Sequence, residues 1–85
     1  VIPFGKVESL AACRMSEQQI ADVLDIDLSE LKKDHQSISS FRESIRKGRA
    51  KGEAEVRLVL YRKAKGGDVN AYRELLRREK QQDSD

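Results

Sequence analysis

Two helix-start signatures lie eleven residues apart in the stretch MSEQQIADVLDIDLSELKKD, and they constrain the chain more than any other feature. Ser16 is a good N-cap, and Gln19 three residues later completes a capping box. Met15 and Ile20 flank that cap as a hydrophobic staple. The pattern then repeats with Asp27 as cap, Glu30 closing its box, and Ile26 and Leu31 as staple. Asp25-Ile26 between them leaves room only for a sharp turn. Ile20, Val23 and Leu24 share one helix face, as do Leu28 and Leu31 on the second. Small Ala21 suits a close helix crossing. The spacing predicts a helix-turn-helix.

The flanks complete an all-α reading. Pro3 and Gly5 discourage helix over Val1–Gly5. Lys6–Arg14 is predicted to be a short support helix with Leu10 inward and Cys13 a small buried apolar group. Gln36–Ser40 reads as a polar joint. Ser40 and Glu43 form a third capping box that starts a long helix over Phe41–Lys65. Phe41, Ile45, Gly48, Gly52, Val56 and Val59 share one face of it, and Ala50, Ala54, Leu58 and Tyr61 nearly the opposite face. Gly48 and Gly52 fit either close approach of a second helix or a break. Gly66-Gly67 ends the helix, one glycine in the left-handed region. Asp68 caps a last helix, Val69–Lys80, with Val69, Tyr72, Leu75 and Leu76 inward, folded back as a helical hairpin. The expected organisation is a helix-turn-helix domain over 6–40, an oligomerising long helix and C-terminal helix over 41–80, and a disordered tail over 81–85. A core expected to contain Ile20, Leu24, Leu31, Phe41 and Ile45 is thin for 85 residues, so association with a partner is expected.

Charge is unevenly spread. Residues 7–40 carry three bases against seven acids, and residues 41–65 carry nine bases against three acids. The motif with a DNA-reading shape is therefore acidic and the helix after it basic. On the second helix of the motif, Lys33 and Gln36 can reach base edges, while Ser29 and Lys32 suit phosphates or edges near the helix start. Arg42, Arg46, Lys47, Arg49 and Lys51 are the bases expected to supply most of the attraction to duplex DNA. A homo-oligomer is expected through Ala50, Ala54, Leu58 and Tyr61, or through Tyr72 and Leu76.

Several classes are set aside. The single Cys13 permits no internal disulfide, and a reducing cytoplasm fits. No run is long and apolar enough for a membrane, and no leader is expected. The start at Val1 reads as an excised piece. His35 has no cysteine or second histidine to make a metal site and reads as a solvated or phosphate-facing group. Ser37, Ser39 and Ser40 lack a paired base, and the glycine pairs fit no phosphate loop. The expectation is a protein that is not an enzyme and carries no cofactor.

IADVLDIDLSELKK, then FRESIRKGRAKGEAEVRLVLYRKAKGGD, then NAYRELLRR give an order of features that resembles the small terminase subunits of tailed bacteriophages and prophages. The resemblance covers about residues 7–78. It implies binding of viral DNA at the packaging start, ring assembly, and transfer of DNA to a large subunit holding ATPase and nuclease. Asp25 stands where the family has a turn glycine, and Asp34 where it has an aromatic residue late in the second helix. Two other classes share the pattern: a helix-turn-helix transcriptional regulator, and a protein-interaction module with the helix-turn-helix as scaffold.

Overall fold

In a computed structural model, which describes residues 2–83, the chain forms five helices, and no strand occurs among the described residues. They are α1 (Phe4–Ala12), α2 (Glu17–Val23), α3 (Leu28–Leu31), α4 (His35–Lys65) and α5 (Val69–Asp83). The chain divides into two compact units, Val1–Glu53 and Ala54–Asp85. The division falls inside α4, not at residues 40 and 41, because the first half of α4 is the wall on which α1 to α3 are built.

The expected caps at Ser16, Asp27 and Asp68 form. Ser16 Oγ accepts the Gln19 N–H at 3.1 Å, and Gln19 Oε1 accepts the Ser16 N–H at 2.8 Å. Asp27 accepts from the backbone of Ser29 and Glu30, while the Glu30 carboxylate takes the Lys33 ammonium at 3.1 Å instead of closing a box. Three helices end in the same motif. In α1 the Met15 N–H reaches the Leu10 carbonyl, in α2 Ile26 reaches Ala21, and in α4 Asp68 reaches Lys63. Each such bond needs a left-handed residue just before its donor. Those residues are Arg14 (φ 69°), Asp25 (φ 56°) and Gly67 (φ 102°). At two of the three the chain uses a residue with a Cβ in place of glycine.

Two boundaries differ from the sequence reading. α1 starts at Phe4, because Pro3 occupies the N-cap, where its missing N–H costs nothing, and its carbonyl accepts from Lys6 and Val7. α4 starts at His35, six residues before Phe41. Asp34 Oδ1 accepts the Gln36 N–H at 3.1 Å, and the Ser37 hydroxyl donates to Asp34 Oδ2 at 2.7 Å. That cap outranks the Ser40–Glu43 pair, so Gln36–Ser40 is helix and Ile38 joins the buried face. α3 is left as a single turn.

The core of the first unit contains Val7, Ala11, Ile20, Ala21, Leu28, Ile38, Phe41 and Ile45. Leu24 and Leu31 are half-buried against it rather than inside it. Gly48 and Gly52 are close-approach residues, and the helix they admit is α1. A Cβ on Gly52 would fall 2.6 Å from the Ala12 carbonyl oxygen. Cys13 is exposed, against expectation, because α1 has already turned out of the core at that residue.

In the second unit α5 folds back against the end of α4. Ala71 is buried and Leu75 half-buried, and the Arg57 guanidinium donates to the Arg78 carbonyl at 3.1 Å. Val69, Tyr72 and Leu76, expected inward, are exposed. The tight two-glycine turn and the Asp68 cap set the rotation of α5 so that small Ala71 faces the neighbour. Val56 and Val59 are exposed as well. α5 continues through Asp83, so residues 81–83 are helical rather than frayed, and residues 84–85 lie outside the described residues.

Candidate nucleic-acid interface

The site is built on the short α3. Ser29, Lys32 and Lys33 are exposed, with Ser29 at the helix start and Lys32 at its C-cap. Gln36, expected on the same helix, belongs to the first turn of α4, where it is exposed and its N–H is tied to Asp34. The Ser37 hydroxyl, and after it the Gln36 N–H, hold the Asp34 carboxyl below the usual aspartate range. Asp34 thus stays ionised as a structural cap between the two sets of candidate DNA contacts.

The five α4 bases do not form one stripe. Arg42, Arg46 and Arg49 follow at i, i+4, i+7 on the flank beside the start of α2, while Lys47 and Lys51 lie on the flank beside α1. Most already have partners in the chain. The Arg42 guanidinium donates to both Glu17 carboxylate oxygens, at 3.2 and 3.3 Å. Lys51 reaches Glu8 at 2.7 Å and Lys47 reaches Glu43 at 3.6 Å. Lys51, by hydrogen bond and charge, holds the Glu8 carboxyl below its usual range. Arg49 donates to the Met15 carbonyl at 3.2 Å. Arg46 is exposed and forms no ion pair among the described residues. The ion pairs lie at the surface, where such pairs add little stability, so a phosphate can displace the carboxylates.

The expected association residues are all on the surface. Ala50, Ala54, Leu58, Tyr61, Tyr72 and Leu76 are exposed. Lys65 stands over the Tyr61 ring, 5.4 Å from its centroid.

One feature has no sign in the sequence. Ile2, Phe4 and Leu31 line an open concavity with Asp34, Gln36 and Ser37, because α1 begins early and α4 begins at His35. Among the described residues no three His, Cys, Asp or Glu side chains gather as a metal-binding group. No helix among them is long and apolar enough to cross a membrane. No family model matches the chain, and no curated protein or solved structure matches it.

Proposed function

We propose that the chain is a DNA-binding component of viral DNA packaging, of small-terminase type. In this reading the helix-turn-helix engages duplex DNA in the host cytoplasm, copies associate, and the assembly serves a large terminase subunit. The observation that carries it is the exposed edge of Ser29 on α3 with Lys32 and Lys33 in the turn that ends it, held at a fixed angle to α2 by the left-handed Asp25 turn. Arg46, without an ion pair among the described residues, and the displaceable Arg42 supply phosphate contacts on the α2 flank. The role is binding and assembly rather than catalysis.

The test is retention of duplex DNA at low salt. Lys32→Ala with Lys33→Ala is expected to reduce sequence preference. Arg46→Ala with Arg49→Ala is expected to lower affinity on all sequences. Absence of retention by the wild type would reject DNA binding.

A second reading has its own support. Four of the five α4 bases already engage groups of the same chain, which favours a protein-interaction module whose helix-turn-helix is scaffold. In that case neither double substitution changes DNA retention.

A further inference from the structure

Two surfaces of the chain are complementary in both charge and apolar character. The first belongs to the hairpin of α4 and α5. Leu58 and Tyr61 on α4, and Val69, Tyr72 and Leu76 on α5, are each between 42% and 60% exposed. Helical spacing interleaves them with cations: Arg62 and Lys65 follow Leu58 and Tyr61, and Arg73 and Lys80 follow Val69, Tyr72 and Leu76. None of these four bases has an ion-pair partner among the described residues. Residues 54–81 carry eight bases against four acids, +4 (Asp83 and Asp85 beyond them bring it to +2). Two of those acids are already used, Asp68 as the α5 cap and Glu74 against Arg77 and Arg78.

The second surface is the turn from α2 to α3. Val23 is 55% exposed there, between the exposed Asp22 and Asp25, with exposed Asp27 beyond. Residues 16–34 carry six acids against two bases; Glu17 is held by Arg42, Glu30 by Lys33, and Asp27 and Asp34 cap helices, so Asp22 and Asp25 beside Val23 give the turn its own negative charge.

We propose that copies of this chain associate head to tail, the α4–α5 hairpin of one copy seating on the acidic α2–α3 turn of the next. Hairpin against hairpin would bring two positive surfaces together. Hairpin against turn brings a net-positive surface to the carboxylates of Asp22 and Asp25 and covers Val23 along with Tyr61 and Tyr72. A contact between two different surfaces leaves one of each free at the ends, so assembly continues until it closes or extends. The inference deepens the assembly half of the proposed function, and it is read without DNA, so it stands or falls separately from DNA binding.

The experiment is solution mass by light scattering against protein concentration, for the wild type and two exposed-site variants. Asp22→Lys with Val23→Lys spoils the turn. Tyr72→Lys with Leu76→Lys spoils the hairpin. The wild type is expected to exceed monomer mass as concentration rises, and to lose mass as salt is raised. Each variant alone is expected to stay monomeric. Their equimolar mixture is expected to form pairs and stop there, since one intact turn meets one intact hairpin. A wild type that stays monomeric at high concentration overturns the proposal. So does a turn variant that assembles like the wild type while the hairpin variant does not, for then hairpin meets hairpin. Helix content by circular dichroism confirms folding of each variant. If either unfolds, the wild-type salt response decides, because an apolar hairpin-to-hairpin contact gains mass as salt rises.

Discussion

Gly48 of α4 lies so close to Glu8 of α1 that a Cβ added there would fall 2.8 Å from the Glu8 Cα. The same Cβ would meet the Ala11 methyl at 2.8 Å. In an exposed helix, Gly→Ala stabilises by about 1 kcal/mol. Here the sign reverses. Gly48→Ala and Gly52→Ala are each expected to cost about 1–3 kcal/mol by forcing α1 away from α4. Urea denaturation measures this. A gain in stability would show that the two backbones are not in contact.

Asp25 and Arg14 sit in the left-handed region where a Cβ is unfavourable. Asp25→Gly and Arg14→Gly are expected to leave the fold intact and to stabilise it by about 0.5–1 kcal/mol each. A rise in melting temperature checks this. Destabilisation by Asp25→Gly would show that its carboxylate matters more than its backbone conformation.

Core depth sets a ranking. Ile20 is fully buried, whereas Leu24 only borders the core. Ile20→Ala is expected to cost about 2–5 kcal/mol and Leu24→Ala about 1–2 kcal/mol. Equal losses in chemical denaturation would contradict the burial order.

Acid sensitivity follows from the carboxylates. Asp34 is held low by Ser37 and Gln36, Glu8 by Lys51, and Glu74 by Arg77. Each has a folded pKa below its unfolded one. The stability they contribute is therefore present above the ordinary carboxylate range and is lost as pH falls through their lowered values. Melting temperature is expected to fall with acidification over that range. Ser37→Ala is expected to raise the Asp34 pKa toward its ordinary value in an NMR titration. No movement would mean that the hydroxyl does not hold it.

DNA binding is expected to be weak and steeply salt-dependent. If about three to five phosphates are neutralised, log K falls against log salt with a slope of about −3 to −5. Because Glu17 holds the Arg42 guanidinium, Glu17→Gln is expected to raise affinity several-fold and steepen that slope. Fluorescence anisotropy over a salt series reads both. Unchanged affinity in Glu17→Gln would mean that Arg42 does not touch DNA.

The sequence by itself determined the local punctuation. Ser16, Asp27 and Asp68 cap helices where the spacing places them, and Gly67 ends α4. These are contacts across two to five residues, so their information lies in the adjacent letters. The same locality made Ser29, Lys32 and Lys33 legible as exposed groups on α3 and the turn that ends it. Ile20, Phe41 and Ile45 were legible as core because periodicity survives any choice of partner.

Tertiary structure decided which apolar face meets which neighbour. Periodicity marks Val56, Val59 and Tyr72 as apolar, but only the presence of an opposing helix buries a residue, and among the described residues none lies over these positions. It also decided that the closeness implied by Gly48 and Gly52 is answered by α1, at a separation of about forty residues. The fate of the bases was equally distant from the local sequence. Arg42 and Lys51 look free along their own helix, and their carboxylates, Glu17 and Glu8, arrive only when α2 and α1 fold against α4. Capping is a short-range property of the backbone, whereas burial and ion pairing depend on which distant segments the closed fold brings into reach.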